Sequence, residues 1–270
     1  MGSRIIDMYK LSVEIGGTKL QGAVGTDAGE ILRVVSGKVP GAGNAEAILG
    51  WMREELRGLI AWASDEGKDV SGIGVGFGGP VESAKGRVLT SHQVEGWDGV
   101  ELKPWFEEEF GLPTVVANDA NAAGWAEYCC GAGRGSRTMC YMNIGSGIGG
   151  ALVVDGKLHD GQGKGAWEMG HVYVPDPHGD EAGGYARLER LFSGWSIERY
   201  ARENVRVAAD TPLWELTEGK EKEITCRAIG EAAALGDEVA LGIVDEIARY
   251  VGLAIANGIT LMHPEVFVLG

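Results

Sequence analysis

Two stretches of this chain carry the same glycine-turned hairpin, and a repeat of that kind leaves few folds open. The first reads Val13-Glu14-Ile15-Gly16-Gly17-Thr18-Lys19-Leu20-Gln21-Gly22-Ala23-Val24-Gly25 and then Asp27-Ala28-Gly29. The second reads Met142-Asn143-Ile144-Gly145-Ser146-Gly147-Ile148-Gly149-Gly150-Ala151-Leu152-Val153-Val154 and then Asp155-Gly156. Each copy has an apolar strand, a turn of glycines with one hydroxyl residue, a second strand, and a second Asp/Gly turn. Glycine lets such a turn bring several backbone N–H groups toward one point, a geometry that suits an anion such as phosphate. Two copies predict two domains that hold a nucleotide between them.

Charge decides how that phosphate can be held. The net charge is −15 over 270 residues, which speaks against a polyanionic partner on a basic surface and so against nucleic acid. Backbone amides, one or two basic residues and a metal ion must do the holding. Four cysteines (Cys129, Cys130, Cys140, Cys226) form no C-x-x-C pair, and adjacent Cys129 and Cys130 are expected as small buried residues of a helix. No apolar run reaches the length of a membrane span, and Met1–Lys10 has no signal-peptide layout. The expectation is a reduced cytoplasmic protein with no membrane partner.

Residues 10–37 read as three short strands, and Ala45–Glu66 carries Ile48, Met52, Leu56, Leu59 and Ile60 at helical spacing. Val70–Phe77 reads as a strand ended by Gly78-Gly79-Pro80, Glu101–Phe110 as a helix, and Pro113–Ala117 as a short buried strand. Asn118-Asp119 opens a helix that runs to about Cys130. After the second hairpin, His159–Gly184 has no clear period and reads as a long functional loop. Helical patterns follow at Ala186–Glu203, Glu223–Ala234 and Glu238–Ile259, with a last strand at Glu265–Leu269. The domain boundary is expected near 117–121, giving 1–117 and 118–270.

Two glycine runs, Gly74–Gly79 and Gly145–Gly150, fit G-x-G-x-x-G, but neither is followed by the helix that a dinucleotide fingerprint requires. No P-loop motif is present either. His171, Asp176, His178 and Asp180 share one loop but have no closed ligand spacing for a metal.

Asp119 lies just past the C-terminal end of a buried strand, the edge where open α/β folds place reactive groups. Either Asn118 or Asp119 merely caps the helix, or the carboxylate accepts a proton from a hydroxyl attacking a γ-phosphate. Glu168 and His171 in Glu-Met-Gly-His read either as a solvated pair or as a clamp for a polyol. Glu189, on the next helix, reads as a surface charge.

Together these residues resemble the ROK family of sugar kinases and repressors, within the actin/hexokinase-like ATPase fold. The resemblance runs from Leu11 onward and implies an α/β chain of two actin-like (ribonuclease H-like) domains with an interdomain cleft. Glu14-Ile-Gly-Gly-Thr-Lys19 resembles the family's first phosphate motif, with Glu14 in place of the usual Asp near the Mg²⁺ shell. Gly145-Ser-Gly-Ile-Gly-Gly150 resembles the second, with Ser146 for the usual Thr. The resemblance implies that Gly16, Gly17, Thr18, Lys19, Gly145, Ser146 and Gly147 hold ATP. It also implies that Gly79, Asn118, Asp119, Glu168, His171 and Glu189 bind the sugar, and that Asp119 is the catalytic base.

The implied activity is ATP- and Mg²⁺-dependent phosphorylation of a hexose, glucose at its 6-hydroxyl or a related sugar such as N-acetylmannosamine. The rivals are a sugar-responsive regulator and a non-catalytic sugar-binding relic. Only about ten residues precede the first hairpin, which argues against the regulator's helix-turn-helix domain. Three family cysteines of a structural zinc site are replaced by Asp180, Ala182 and Arg187, so no zinc is expected, and an Asp180–Arg187 ion pair is expected in its place. The chain ends at the first glycine of the family's third Gly-rich turn and so reads as C-terminally truncated. A homodimer is the family's habit.

Overall fold

The computed structural model describes residues 8–39, 44–91, 94–179 and 183–270. The chain begins with strands Tyr9–Ile15 (β1), Lys19–Thr26 (β2) and Ile31–Lys38 (β3), helix Ala45–Asp65 (α1) and strand Val70–Phe77 (β4). Two short strands, Val81–Glu82 (β5) and Arg87–Val88 (β6), precede helix Leu102–Phe110 (α2), strand Thr114–Asn118 (β7) and helix Asp119–Cys130 (α3). The second hairpin is Met139–Ile144 (β8) and Ile148–Val154 (β9), followed by Lys157–Leu158 (β10). Strands Tyr173–Pro175 (β11) and Tyr185–Arg187 (β12) lead into helices Leu188–Phe192 (α4), Gly194–Asn204 (α5) and Pro212–Thr217 (α6). Helices Cys226–Ala234 (α7) and Glu238–Met262 (α8) and strand Val266–Leu269 (β13) complete the order. One compact unit comprises residues up to Met139 with Ala151–Ala166, and the other comprises Cys140–Gly150 with Trp167–Gly270.

In the first unit, a five-stranded sheet has the order β3-β2-β1-β4-β7. β1, β2 and β3 form an antiparallel meander, and β4 and β7 add in parallel beside β1. The period-two pattern of β1 sets its sides: Leu11, Val13 and Ile15 are buried, while Ser12 and Glu14 are exposed. The apolar stripe of α1 (Ile48, Met52, Leu56, Leu59) joins the same core. Asn44 starts that helix, its side chain accepting from the Ala47 N–H at 3.1 Å. Phe77 and Trp97 meet edge-to-face with ring centroids 5.2 Å apart. On the outside, Glu109 takes ion pairs from Arg53 and Arg57.

Among its described residues the second unit has two apolar clusters. One joins Met142 and Ile148 with Met169, Leu188, Phe192 and Val251, and the other packs α5, α6 and α7 against the start of α8. Strand β13 is tied to β8 by Gly270 N–H to Met142 C=O (2.9 Å) and Ile144 N–H to Gly270 C=O (3.1 Å). Among the described residues no helix is long and apolar enough to cross a membrane.

Three sequence expectations change. The long loop contains the β11–β12 hairpin, with Tyr173 opposite Arg187 and Pro175 opposite Tyr185. The single helix expected over Ala186–Glu203 is two helices, because Ser193 leaves helical geometry (φ −69°, ψ 157°) and caps α5 through its side chain. Cys129 and Cys130 are both exposed rather than buried, since they fall on the outward last turn of α3.

Leu56 is fully buried in the α1–sheet core. Leu56→Ala should destabilise the protein by about 2–5 kcal/mol, because neighbouring strands cannot collapse into the space. Urea unfolding followed by circular dichroism checks this; a loss under about 1 kcal/mol would contradict the tight packing.

Candidate active site

In the first unit the β1–β2 turn is closed from within. The Gly16 N–H donates to the Lys19 carbonyl at 3.0 Å, and the Val39 N–H donates to the Thr18 carbonyl at 3.1 Å. The N–H groups of Gly17 and Thr18 and the Thr18 hydroxyl have no partner among the described residues. Those donors suit an anion. Lys19 also pairs directly with Lys38 across the β2–β3 ladder, and both are exposed. Like charges placed opposite each other are unfavourable unless an anion relieves them. Lys38 is a candidate that the motif did not single out.

Glu14 projects from the face of β1 opposite the core and is exposed. Its carboxylate has no hydrogen-bond or ion-pair partner among the described residues, so it is free to serve the oxygen-rich shell of a hard cation such as Mg²⁺. Among the described residues there is no group of three or more His, Cys, Asp or Glu gathered as a metal site. The expected Asp180–Arg187 ion pair involves Asp180, which lies outside the described residues, as does Ala182.

The β7–α3 junction separates the two roles that the sequence left open. Asn118 is the cap: its Oδ1 accepts from the N–H groups of Ala120 (3.0 Å) and Asn121 (3.2 Å). Its amide nitrogen donates to the Gly79 carbonyl at 3.2 Å and to Asp119 Oδ1 at 3.0 Å. Asp119 Oδ1 also accepts from the Ala120 N–H at 2.8 Å. Asp119 Oδ2 has no partner among the described residues. Asp119 keeps accessible surface, yet the protein packed around it raises its pKa above the ordinary aspartate value, and the Ala120 and Asn118 donors offset only part of that rise.

Gly78 brings this carboxylate to the first turn. Its N–H donates to the Ile15 carbonyl at 2.8 Å. A Cβ at Gly78 would lie 3.5 Å from Asp119 Oδ2 and 3.5 Å from the Gly16 Cα, so the backbone here runs between the two. Gly79 is equally close-packed, against the Phe77 ring and the Thr90 carbonyl.

In the second unit the β8–β9 turn is closed by Gly145 N–H to the Gly147 carbonyl at 2.8 Å. The N–H groups of Ser146 and Gly147 have no partner among the described residues. Glu168 precedes a single turn of 3₁₀ helix, Met169–His171, and the His171 N–H donates to the Glu168 carbonyl at 2.9 Å. Glu168 and His171 flank this turn and are both exposed, while Met169 between them is buried. Trp167 anchors the loop. It holds a left-handed backbone (φ +64°), and its indole N–H donates to the Tyr141 carbonyl at 3.1 Å. Gly170 packs so closely on Ile148 that a Cβ there would fall 2.2 Å from the Ile148 carbonyl oxygen and 3.2 Å from the Glu189 Cβ.

Glu189 therefore packs beside Gly170, within the Glu168–His171 segment, instead of on a bare helix surface, and its Oε2 accepts from the Ile148 N–H at 2.8 Å. The first unit gathers Glu14, Gly16–Lys19, Gly79, Asn118 and Asp119, and the second gathers Gly145–Gly147, Glu168, His171 and Glu189. Sequence reading named Gly78 only as the end of a strand and gave Lys38 and Trp167 no role of their own in the site. The only signal for Lys38 was its place in the strand paired with the first hairpin.

A model of the ROK family matches residues 10–270. A glucokinase of Streptomyces coelicolor is 32% identical over 263 residues, covering 96% of this chain and 80% of that protein. Among solved structures, a ROK family glucokinase from Streptomyces griseus in complex with glucose and AMPPNP superposes with a TM-score of 0.78 at 34% identity, over 97% of this chain and 82% of the other. A ROK family transcriptional regulator, a homologue of the E. coli MLC protein, has a TM-score of 0.84 at 26% identity, over 98% and 65%.

The division of labour at 118–119 can be tested directly. Asn118→Ala should lower stability by about 0.5–2 kcal/mol through loss of the cap. Asn118→Asp should retain most of that stability, because a carboxylate caps as well, measured by urea unfolding of both variants.

Proposed function

The chain belongs to the ROK family, and from that premise we propose that it is a kinase that transfers the γ-phosphoryl group of ATP to a hexose hydroxyl, the 6-hydroxyl of glucose first among them. The observation that carries this reading is the placement of Asp119 beside the first glycine turn, with Gly78 running between them. A base and a phosphate-holding turn on one sheet edge are what phosphoryl transfer to a hydroxyl needs.

In this reading the N–H groups of Gly17 and Thr18, with Lys19, hold phosphate oxygens, as do those of Ser146 and Gly147. Glu168, His171 and Glu189 orient the sugar by its hydroxyls, as acceptors and donor, and Asn118 holds Asp119 in place. Asp119 takes the hydroxyl proton as the oxygen attacks phosphorus; the bond to the β-phosphate bridging oxygen breaks and ADP leaves. Bound Mg²⁺ would neutralise phosphate charge, and Glu14 is the residue here that would face its shell. The glucokinase relatives support the choice of glucose, while the regulator's likeness keeps sugar binding without turnover as the second reading.

ADP release from Mg-ATP, measured across hexoses and N-acetylhexosamines, tests the proposal. Turnover on one of them supports the kinase and names its substrate; sugar binding with no turnover on any supports the second reading. Asp119→Ala should lower kcat by about 10²–10⁴-fold while sugar binding stays detectable by calorimetry. The base works only when deprotonated, so kcat/KM should be full at neutral pH and fall as pH drops through the raised Asp119 pKa. That midpoint should lie above the ordinary value of 3.8, and one at or below it would argue against Asp119 as the base.

A further inference from the structure

The sugar-side and phosphate-side groups of the second unit are joined by a single carboxylate. Glu189 lies in the first turn of α4 and packs against Gly170, the residue between Glu168-Met169 and His171. Its Oε2 nevertheless accepts from the N–H of Ile148, the first residue after the Gly145–Gly147 turn, at 2.8 Å. A Cβ at Gly147 would fall 2.6 Å from that same oxygen. At the other end of the turn, the N–H of Gly194 donates to the Gly145 carbonyl at 2.8 Å. Residues 189–194 thus hold the turn at both ends, Glu189 at Ile148 and Gly194 at Gly145.

We propose that Glu189 is a positioning residue for the second phosphate turn as well as a sugar ligand, so that sugar and nucleotide binding are coupled through its carboxylate. The inference rests on the kinase reading above. A carboxylate has two oxygens with about four acceptor sites, and the bond to Ile148 is charge-assisted and engages only Oε2. Oε1 has no partner among the described residues and is open to a sugar hydroxyl. A hydroxyl on Oε1 fixes the side-chain torsions of Glu189. Fixing them also fixes the Ile148 amide, and with it the neighbouring N–H groups of Ser146 and Gly147. The ordering that a nucleotide would otherwise impose on the turn is then already made. Linkage requires the reverse effect to be equal: phosphate on the turn must tighten sugar binding by the same factor.

Calorimetry on the full chain with Mg²⁺-AMPPNP and with glucose (or the hexose that turns over in the ADP assay) tests the coupling by crossed variants. Glu189→Ala, on the sugar side, should weaken AMPPNP binding about fivefold or more with no sugar present. A group that only touched sugar would leave that affinity unchanged. Glu189→Gln keeps an oxygen that can accept from Ile148 and should restore AMPPNP affinity relative to alanine. Gly147→Ala, on the phosphate side, should weaken sugar binding by a similar factor with no nucleotide present, because the new methyl group displaces the carboxylate. Unchanged AMPPNP affinity in Glu189→Ala, or unchanged sugar affinity in Gly147→Ala, overturns the coupling. If Glu189→Ala does not fold, Gly147→Ala decides alone. A wild-type chain that binds neither ligand refutes the kinase reading itself, whereas one that binds both without crossed effects refutes only the coupling.

Discussion

The candidate site depends on the hydrogen bonding of one strand. β1 is paired on both sides, antiparallel to β2 and parallel to β4, so its register is fixed from two directions. With Leu11, Val13 and Ile15 in the core, slippage by one residue would expose all three and bury Glu14. Its last carbonyl, that of Ile15, receives the Gly78 N–H. That bond ties the end of β4 to the point where the first glycine turn begins. β7 lies parallel to β4, with Phe77 opposite Asn118, so the same register sets where Asp119 emerges. The turn and the carboxylate are thus placed by sheet geometry, and neither relies on a mobile loop for its position.

Much of this was legible because the signals are local. The glycine turns, the stripe on α1 and the strand-to-helix step at 118–119 each declare themselves within a few residues. The turn amides were legible as a set but not individually. The first turn closes with Gly16 N–H on Lys19, three residues on, and the second with Gly145 N–H on Gly147, two residues on. Only those hydrogen bonds reveal that the first amide of each turn is already engaged and that Gly17, Thr18, Ser146 and Gly147 carry the open donors among the described residues. Similarly, Asn118 and Asp119 are both good caps by chemistry, and their roles separate only through the direction each oxygen faces.

What was not legible depends on contacts distant in sequence. Glu189 reads as a helix-surface charge because its partner, the Ile148 N–H, lies 41 residues away. The apolar spacing over 186–203 continues smoothly through the break at Ser193, where a side-chain cap on the Ser196 N–H competes successfully with helix continuation. The β11–β12 hairpin is too short for a period to show, and Pro175 within it argues against a strand interior. Cys129 and Cys130 were expected inside on residue type alone, although burial is decided by which side of α3 faces the sheet.

For a chain of net charge −15, the proposed binding of a nucleotide sets an electrostatic problem, which the two turns would have to meet locally. Screening at physiological ionic strength acts over about 8 Å, so distant surface carboxylates contribute little at the phosphates. What matters is the immediate shell. There the first turn presents backbone N–H groups, whose partial charges carry no counterion and no titration, beside Lys19 and Lys38. The second turn has no lysine or arginine within Asn143–Gly149, and its neighbouring charge is the Glu189 carboxylate, a net repulsion for phosphate. That repulsion is reduced because Oε2 is neutralised in part by the Ile148 N–H, and a sugar hydroxyl on Oε1 would reduce it further. In the proposed reading, electrostatics and ordering therefore act in the same direction: a sugar on Glu189 would make the second turn a better place for phosphate, which would favour nucleotide capture only when an acceptor is present to receive the phosphoryl group.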